Sequence, residues 1–407
     1  MVKSFFSLIL LYSAIANALI GVQNLENKLF EQNSELSFLQ KQVEAKEALY
    51  SSSKSSFLPT INAVGGWQSN KTDANAQTEK GTVGYLEARY NLFNGFKDKS
   101  TLNQKEVDLN LSKYEYELKQ RDLRISLTEI ISEMLYLHKL QDILVDEYKA
   151  VQAQKRMAQK KVAAGLTGPV DNLEFSLRES EIEIEQNQIN QLHDEAHQKL
   201  TKLFGAELTD SEFAAIKYQS HSELTKFNTT FDHLKNVEYK IAEQNITKAT
   251  FQKSESRSDF LPKLDLTASV GRLTPSETTP TQYNESKYGI TLTIPLFSGL
   301  DTYYKFKASN FNISSAEKSL AQVSNNIKSE YNIIKNKIIE LGKLFQINEK
   351  KLITSQNYFN LTLGEYRRGI KNSPDLVGAT ERLFSVRKKQ VEILKDLETL
   401  KIKIDTL

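Results

Sequence analysis

His193 and His197 stand four residues apart in a stretch that reads as helix, the spacing that can turn two imidazoles toward one zinc ion. The metalloprotease order His-Glu-x-x-His is missing, because Asp194 follows His193 and Glu195 comes only after it. A solvated helix face is the better reading, and no metal site is assigned. The chain contains no cysteine, hence no thiol nucleophile. No glycine loop suited to a phosphate occurs, and serine, histidine and acidic residues are scattered without a nucleophile elbow. Neither a catalytic residue nor a cofactor is expected, so the chain is read as something other than an enzyme. Asp171 and Asp375 differ from the other acids in position. Each stands six residues beyond a glycine, Gly165 or Gly369, in the first turn of a helix, where the dipole favours a carboxylate.

Those glycines belong to a duplication. Phe57-Leu58-Pro59 recurs as Phe260-Leu261-Pro262, 203 positions later, and Leu92-Phe93-Asn94-Gly95 recurs as Leu296-Phe297-Ser298-Gly299, 204 later. Gly165 recurs as Gly369 at 204, and Pro169 as Pro374 at 205. Each match is short, but four in order at nearly one offset mark a repeated, domain-sized unit, far longer than a solenoid period. Repeat 1 spans 19–205, an inter-repeat linker 206–227, and repeat 2 spans 228–407.

Helices must position the two glycines. Leu102, Leu109, Tyr116, Leu123, Ile130, Leu137, Leu144 and Val151 fall at unbroken seven-residue spacing. Phe306, Ile313, Leu320, Ile327, Ile334 and Leu341 repeat this, and the pattern then fades into Asn348 and Ser355. Sustained heptads predict long coiled-coil helices over 96–164 and 300–368, each about 100 Å at roughly 1.5 Å per residue. Shorter helices are predicted over 24–56, 169–203, 228–258 and 373–404. Gly165 and Gly369 would end the long helices, with Pro169 and Pro374 starting the return.

Four strands are predicted at about 60–69, 83–93, 263–271 and 287–297, joined in pairs by polar loops at about 70–82 and 272–286. In the last three, apolar and polar residues alternate: Leu86, Ala88, Tyr90 and Leu92 against Glu87, Arg89 and Asn91, for example. A half-buried soluble sheet and the wall of a membrane barrel both show such alternation. Four strands cannot close an aqueous barrel, whereas three chains would supply twelve.

The amino terminus argues for export. Lys3, the apolar stretch Phe5 to Ile15, and Ala16-Asn17-Ala18 read as a signal peptide over 1–18. The stretch is shorter than the roughly 20 residues a helical span needs. Charges nearly cancel, 53 basic against 51 acidic, which gives no electrostatic case for nucleic acid.

With its duplication, its Phe-Leu-Pro and Leu-Phe-x-Gly motifs, and the turns Ala164-Gly165-Leu166-Thr167 and Arg368-Gly369-Ile370-Lys371, the sequence resembles the TolC-type outer-membrane efflux protein family. The resemblance covers nearly the whole mature chain. It implies a mainly α fold with β: four strands per chain in a shared twelve-stranded outer-membrane barrel, and a long coiled-coil α-helical barrel reaching into the periplasm. It further implies a homotrimer held in outer-membrane lipid, meeting a periplasmic adaptor and an inner-membrane transporter of ABC or RND type. Gly165, Leu166, Thr167, Gly369 and Ile370 would form the adaptor-contacting tip, with the linker at the equator. Asp171 and Asp375 match positions whose carboxylates ring the aperture, and Tyr366 matches a tyrosine that helps hold it closed. Lys371 stands where the best-known member has arginine, so Arg367 or Arg368 is an alternative latch. Carboxylates crowded on a three-fold axis would attract cations. Multidrug efflux and type I secretion both fit, and a structural envelope coiled coil without a pore is the rival.

Overall fold

The structure, a computed structural model, describes residues 24–72, 77–206, 221–227, 231–273 and 285–407. The expected signal peptide and most of the expected linker lie outside these. Two compact units emerge, one of residues through Ser37, Leu118–His233 and Asn326–Leu407, the other of Phe38–Glu117 and Leu234–Asn325.

The second unit holds a four-stranded antiparallel sheet: β1 (Thr60–Thr72), β2 (Gln77–Asn94), β3 (Lys263–Arg272) and β4 (Glu285–Thr293), in the order β1-β2-β3-β4. The first hairpin outgrows its predicted strands, its register running from Thr60↔Arg89 out to Thr72↔Gln77. The sequence there is polar at successive positions, so ladder hydrogen bonds rather than an apolar face extend the strands. β4 stops before Pro295, which has no N–H to give the ladder.

Register decides which side chains share a face. Leu86 pairs with Val270, Ala88 with Ala268 and Tyr90 with Leu266. Leu266 pairs in turn with Ile290, Leu264 with Leu292, and Ile61 with Ala88. All therefore lie on one apolar face, and Glu87, Arg89, Thr267, Ser269 and Lys287 lie on the other. Gly271 is required in β3: its φ is +136°, and a Cβ there would come within 2.6 Å of the Gly84 carbonyl oxygen.

The sheet hands the chain to helices through matching kinks. Gly95 and Phe96 both take positive φ, 59° and 66°, as do Gly299 and Leu300, at 63° and 68°. Long helices α3 (Lys97–Ala163) and α7 (Asp301–Arg367) follow, each of 67 residues. Within this unit α6 (Val237–Ser258) packs Ala242 and Ala249, one heptad apart, and Lys248 pairs with Asp108 of α3 at 2.7 Å. The predicted 228–258 helix begins in earnest only at Val237, because Asn236 accepts from the Glu238 amide and caps it.

The first unit is a helical bundle. α3 buries Leu123, Leu137, Leu144, Val151 and Ala158 on a heptad spine. α4 (Val170–Phe204) buries Phe175, Ile182, Ile189 and Ala196 at the same spacing. α8 (Ser373–Thr406) buries Ala379, Val386 and Ile393, and beside them Leu376 and Leu383. Each of the larger side chains among these contributes roughly 1.5–3 kcal/mol of burial, the alanines less. Heptads in α7 do not end at Leu341. Asn348 is buried and its amide donates to the Val386 carbonyl at 3.0 Å, so a polar residue takes the core position and fixes register against α8.

The predicted 24–56 helix is two helices, α1 (24–32) and α2 (Ser34–Ser53). Asn33 separates them: its side chain accepts from the Leu36 amide at 2.9 Å and donates to the Leu203 carbonyl at 2.9 Å. A short helix, α5 (His221–Leu224), falls in the expected linker. Its Leu224 is buried against Ile338, Phe345, Ile393 and Leu397.

Candidate functional site at the helical turns

α3 and α7 end in the same way. The Gly165 amide donates to the Val162 carbonyl and the Leu166 amide to the Lys161 carbonyl, both at 2.9 Å. Gly369 and Ile370 repeat this on Tyr366 and Glu365 at 3.1 and 3.0 Å. These are Schellman caps, which need the left-handed φ of +68° and +79° that the two glycines adopt. Leu166 and Ile370 at the turns are exposed apolar residues.

The two aspartates, alike in position, are engaged differently. Asp375 completes a capping box with Asn372: its amide donates to Asn372 Oδ1 at 3.1 Å, and its carboxylate accepts from the Asn372 amide at 3.4 Å. Lys371 lies 3.7 Å from the same carboxylate. Asp171 instead reaches the other repeat, accepting from the Ser373 hydroxyl at 2.7 Å. Arg367 and Arg368 are exposed, and among the described residues neither forms an ion pair.

Tyr366 is fully buried beside Asp171. Phe175 of α4 meets its ring edge-on at a centroid distance of 5.9 Å. On the ring also sits the Lys161 ammonium, 4.0 Å from the centroid, which donates in addition to the Tyr366 carbonyl. The phenol and Asp171 Oδ2 face each other without a directed hydrogen bond. Burial first, and the Asp171 charge second, push the phenol up to about 12. Lys161, Phe175 and Ser373 were not singled out in the sequence. Only their place within about three turns of the glycines could have drawn attention to them.

Above the tip, α4 and α8 continue in step. Arg178 and Glu185 follow Asp171 at seven-residue intervals, and they pair with Glu381 at 3.7 Å and with Lys388. Beneath them Glu147 of α3 is wholly buried. It accepts from Arg178 Nε at 3.1 Å and lies 3.4 Å from the Lys388 ammonium. His193 and His197 are neighbours on α4 with ring centroids 5.0 Å apart. No group of three or more His, Cys, Asp or Glu fit for a metal occurs among the described residues.

The chain matches a family profile described as outer membrane efflux protein, once over residues 25–206 and again over 236–407. It belongs to the outer membrane efflux protein family. The double match restates the internal repeat. Membership places the chain among outer-membrane channels that extend into the periplasm. The outer membrane protein TolC of Vibrio cholerae is 22% identical over 386 residues, covering 89% of this chain and 84% of that protein. The alkaline protease secretion protein AprF of Pseudomonas aeruginosa is 24% identical over 257 residues, covering 59% of this chain and 53% of AprF, so the match spans about half of that relative. The fold is that of the solved outer membrane protein VceC of Vibrio cholerae, with a TM-score of 0.81 at 12% identity over 94% of both chains. No helix among the described residues is long and apolar enough to cross a membrane.

Proposed function

We propose that this chain is one protomer of a trimeric outer-membrane exit duct, passing cargo delivered by a periplasmic adaptor and an inner-membrane transporter of ABC or RND type. One observation carries the reading. Along β3 the exposed residues are the apolar ones, Leu266, Ala268 and Val270, while Asp265, Thr267 and Ser269 between them are partly covered. A soluble sheet does the reverse, and a barrel wall in lipid around a wet lumen does this. β1 and β4 have unpaired edges, which two further copies would close into twelve strands.

On this reading the turns at Gly165, Leu166, Thr167, Gly369 and Ile370 are the periplasmic tip that meets the adaptor. Asp171 and Asp375 ring the aperture, Tyr366 backs Asp171 from within the protomer, and Lys371, or Arg367 or Arg368 in its place, supplies the cationic latch. The duct has no reaction to catalyse; it opens when the tip helices part. AprF's name supports a polypeptide as cargo, and the pump captured together with the adaptor would decide the cargo class.

The test is conductance in planar bilayers. Wild-type protein should form cation-selective channels, and Asp171→Ala with Asp375→Ala should lower that selectivity. Protein that extracts without detergent and never conducts would leave the structural coiled coil as the reading.

A further inference from the structure

We infer that Lys161 is a positioning residue of the tip, a cation that clasps Tyr366 and thereby ties the end of repeat 1's long helix to that of repeat 2. The carbonyl of Tyr366 already receives the Gly369 amide at 3.1 Å in the cap that ends α7. The Lys161 ammonium donates to that same carbonyl, at the negative end of the α7 dipole. It also stands 4.0 Å from the centroid of the Tyr366 ring, within range for attraction to the π face. One side chain therefore holds both the backbone and the ring of one residue, 205 positions away in sequence. With Phe175 packed edge-on against the same ring, the phenol is left facing Asp171.

The repeat makes this assignment asymmetric. Lys161 is the residue whose carbonyl closes the first Schellman cap, and its counterpart in the second cap is Glu365. A carboxylate can neither donate to a carbonyl nor favour a ring face, so no reciprocal clasp runs from α7 to α3. The α3 end acts as the holder and the α7 end as the held part. The chemistry asks for two things at once, a positive charge over the ring and an N–H for the carbonyl. Arginine supplies both, glutamine only the second, and methionine neither.

The inference refines the aperture reading given above, and its test separates the two. Because the chain has no cysteine, Leu166→Cys and Ile370→Cys place spin labels at the two exposed turns without background. Trimers assembled with an excess of unlabelled chain report the distance within one protomer. Lys161→Met should broaden that distance distribution and shift it to longer values, Lys161→Gln should do so less, and Lys161→Arg should restore the wild-type profile. An unchanged distribution in Lys161→Met would overturn the inference, as would an Arg variant as broad as Met. Bilayer conductance is then measured on the same proteins. A broadened tip with raised conductance supports both readings, whereas a broadened tip with unchanged conductance keeps the clasp and removes the aperture from this end of the molecule.

Discussion

The hydroxyl of Ser373 donates to the carboxylate of Asp171 at 2.7 Å, joining the first turn of one return helix to that of the other across 202 residues of sequence. Ser373 is fully buried, so this bond is shielded from competing water. It is the first rung of a series in which Arg178 meets Glu381 and Glu185 meets Lys388 at successive heptads.

Ser373→Ala should weaken the tip by about 1.5–3 kcal/mol, the usual contribution of a hydrogen bond to a charged group. Amide exchange of residues near Asp171 and Leu376 should speed up by roughly ten-fold or more, while exchange around Ile393 stays as in wild type. Uniform acceleration along α8 would mean that the residue supports the helix and not the tip.

Alkaline pH should open the tip. The Tyr366 phenol is raised from 10 to about 12, by burial and then by Asp171, so folding favours its neutral form. That preference is fully present below pH 10 and is lost as pH climbs through about 12. Bilayer conductance titrated across this window should rise in wild type, and the rise should be smaller in Tyr366→Phe, which has no proton to lose. Identical titrations would assign the change to other groups.

Glu147 is a buried anion held by Arg178 and Lys388. Burial opposes the Arg178 charge, but its hydrogen bonds to Glu147 and Glu181 outweigh this and raise its pKa. Glu147→Ala would remove the one wholly buried partner of Arg178, leaving it Glu181, Glu185 and Glu381, and should cost about 1.5–3 kcal/mol. Thermal unfolding followed by circular dichroism should show the loss, and Glu147→Met combined with Arg178→Met should recover a good part of it. A double variant as unstable as Glu147→Ala would show that the ion pairs themselves stabilise the bundle, and that an uncompensated Arg178 charge is not the cause of the loss.

The two faces of the sheet should tolerate charge differently. Leu266→Lys, on the apolar face, should cost about 2–4 kcal/mol near mid-membrane and reduce recovery in the outer-membrane fraction. Thr267→Lys, its neighbour on the polar face, should be recovered at the wild-type level. Equal losses from both would contradict a lipid-facing apolar side.

Much of the fold was legible because its signals are long. Heptads from Leu102 to Val151, uninterrupted by glycine, predict a helix that no short-range accident imitates, and the structure has it. The break at Asn33 was not legible, since an asparagine that caps one helix looks the same in sequence as one inside a longer helix. Nor was the core role of Asn348: only the Val386 carbonyl opposite gives a buried amide its partner. The extra length of β1 and β2 escaped notice because polar residues carry no period to read. At the tip, spacing drew attention to Asp171 and Asp375, and the family resemblance to Tyr366. That Asp375 caps its own helix while Asp171 reaches across could not be read, because the deciding partner of Asp171, Ser373, is distant in sequence.

The sheet order leaves β1 and β4 as open edges, and in β3 the exposed residues are the apolar ones. An edge exposes N–H and C=O groups that lipid cannot satisfy, so one chain alone has no finished state inside a bilayer. On the proposed trimer, completion comes from encounters between molecules, and its speed depends on how many copies are present together. Scarce chains would wait with sticky edges exposed, and crowded ones could join out of register. The dose at which the cell makes this protein is accordingly part of how it folds.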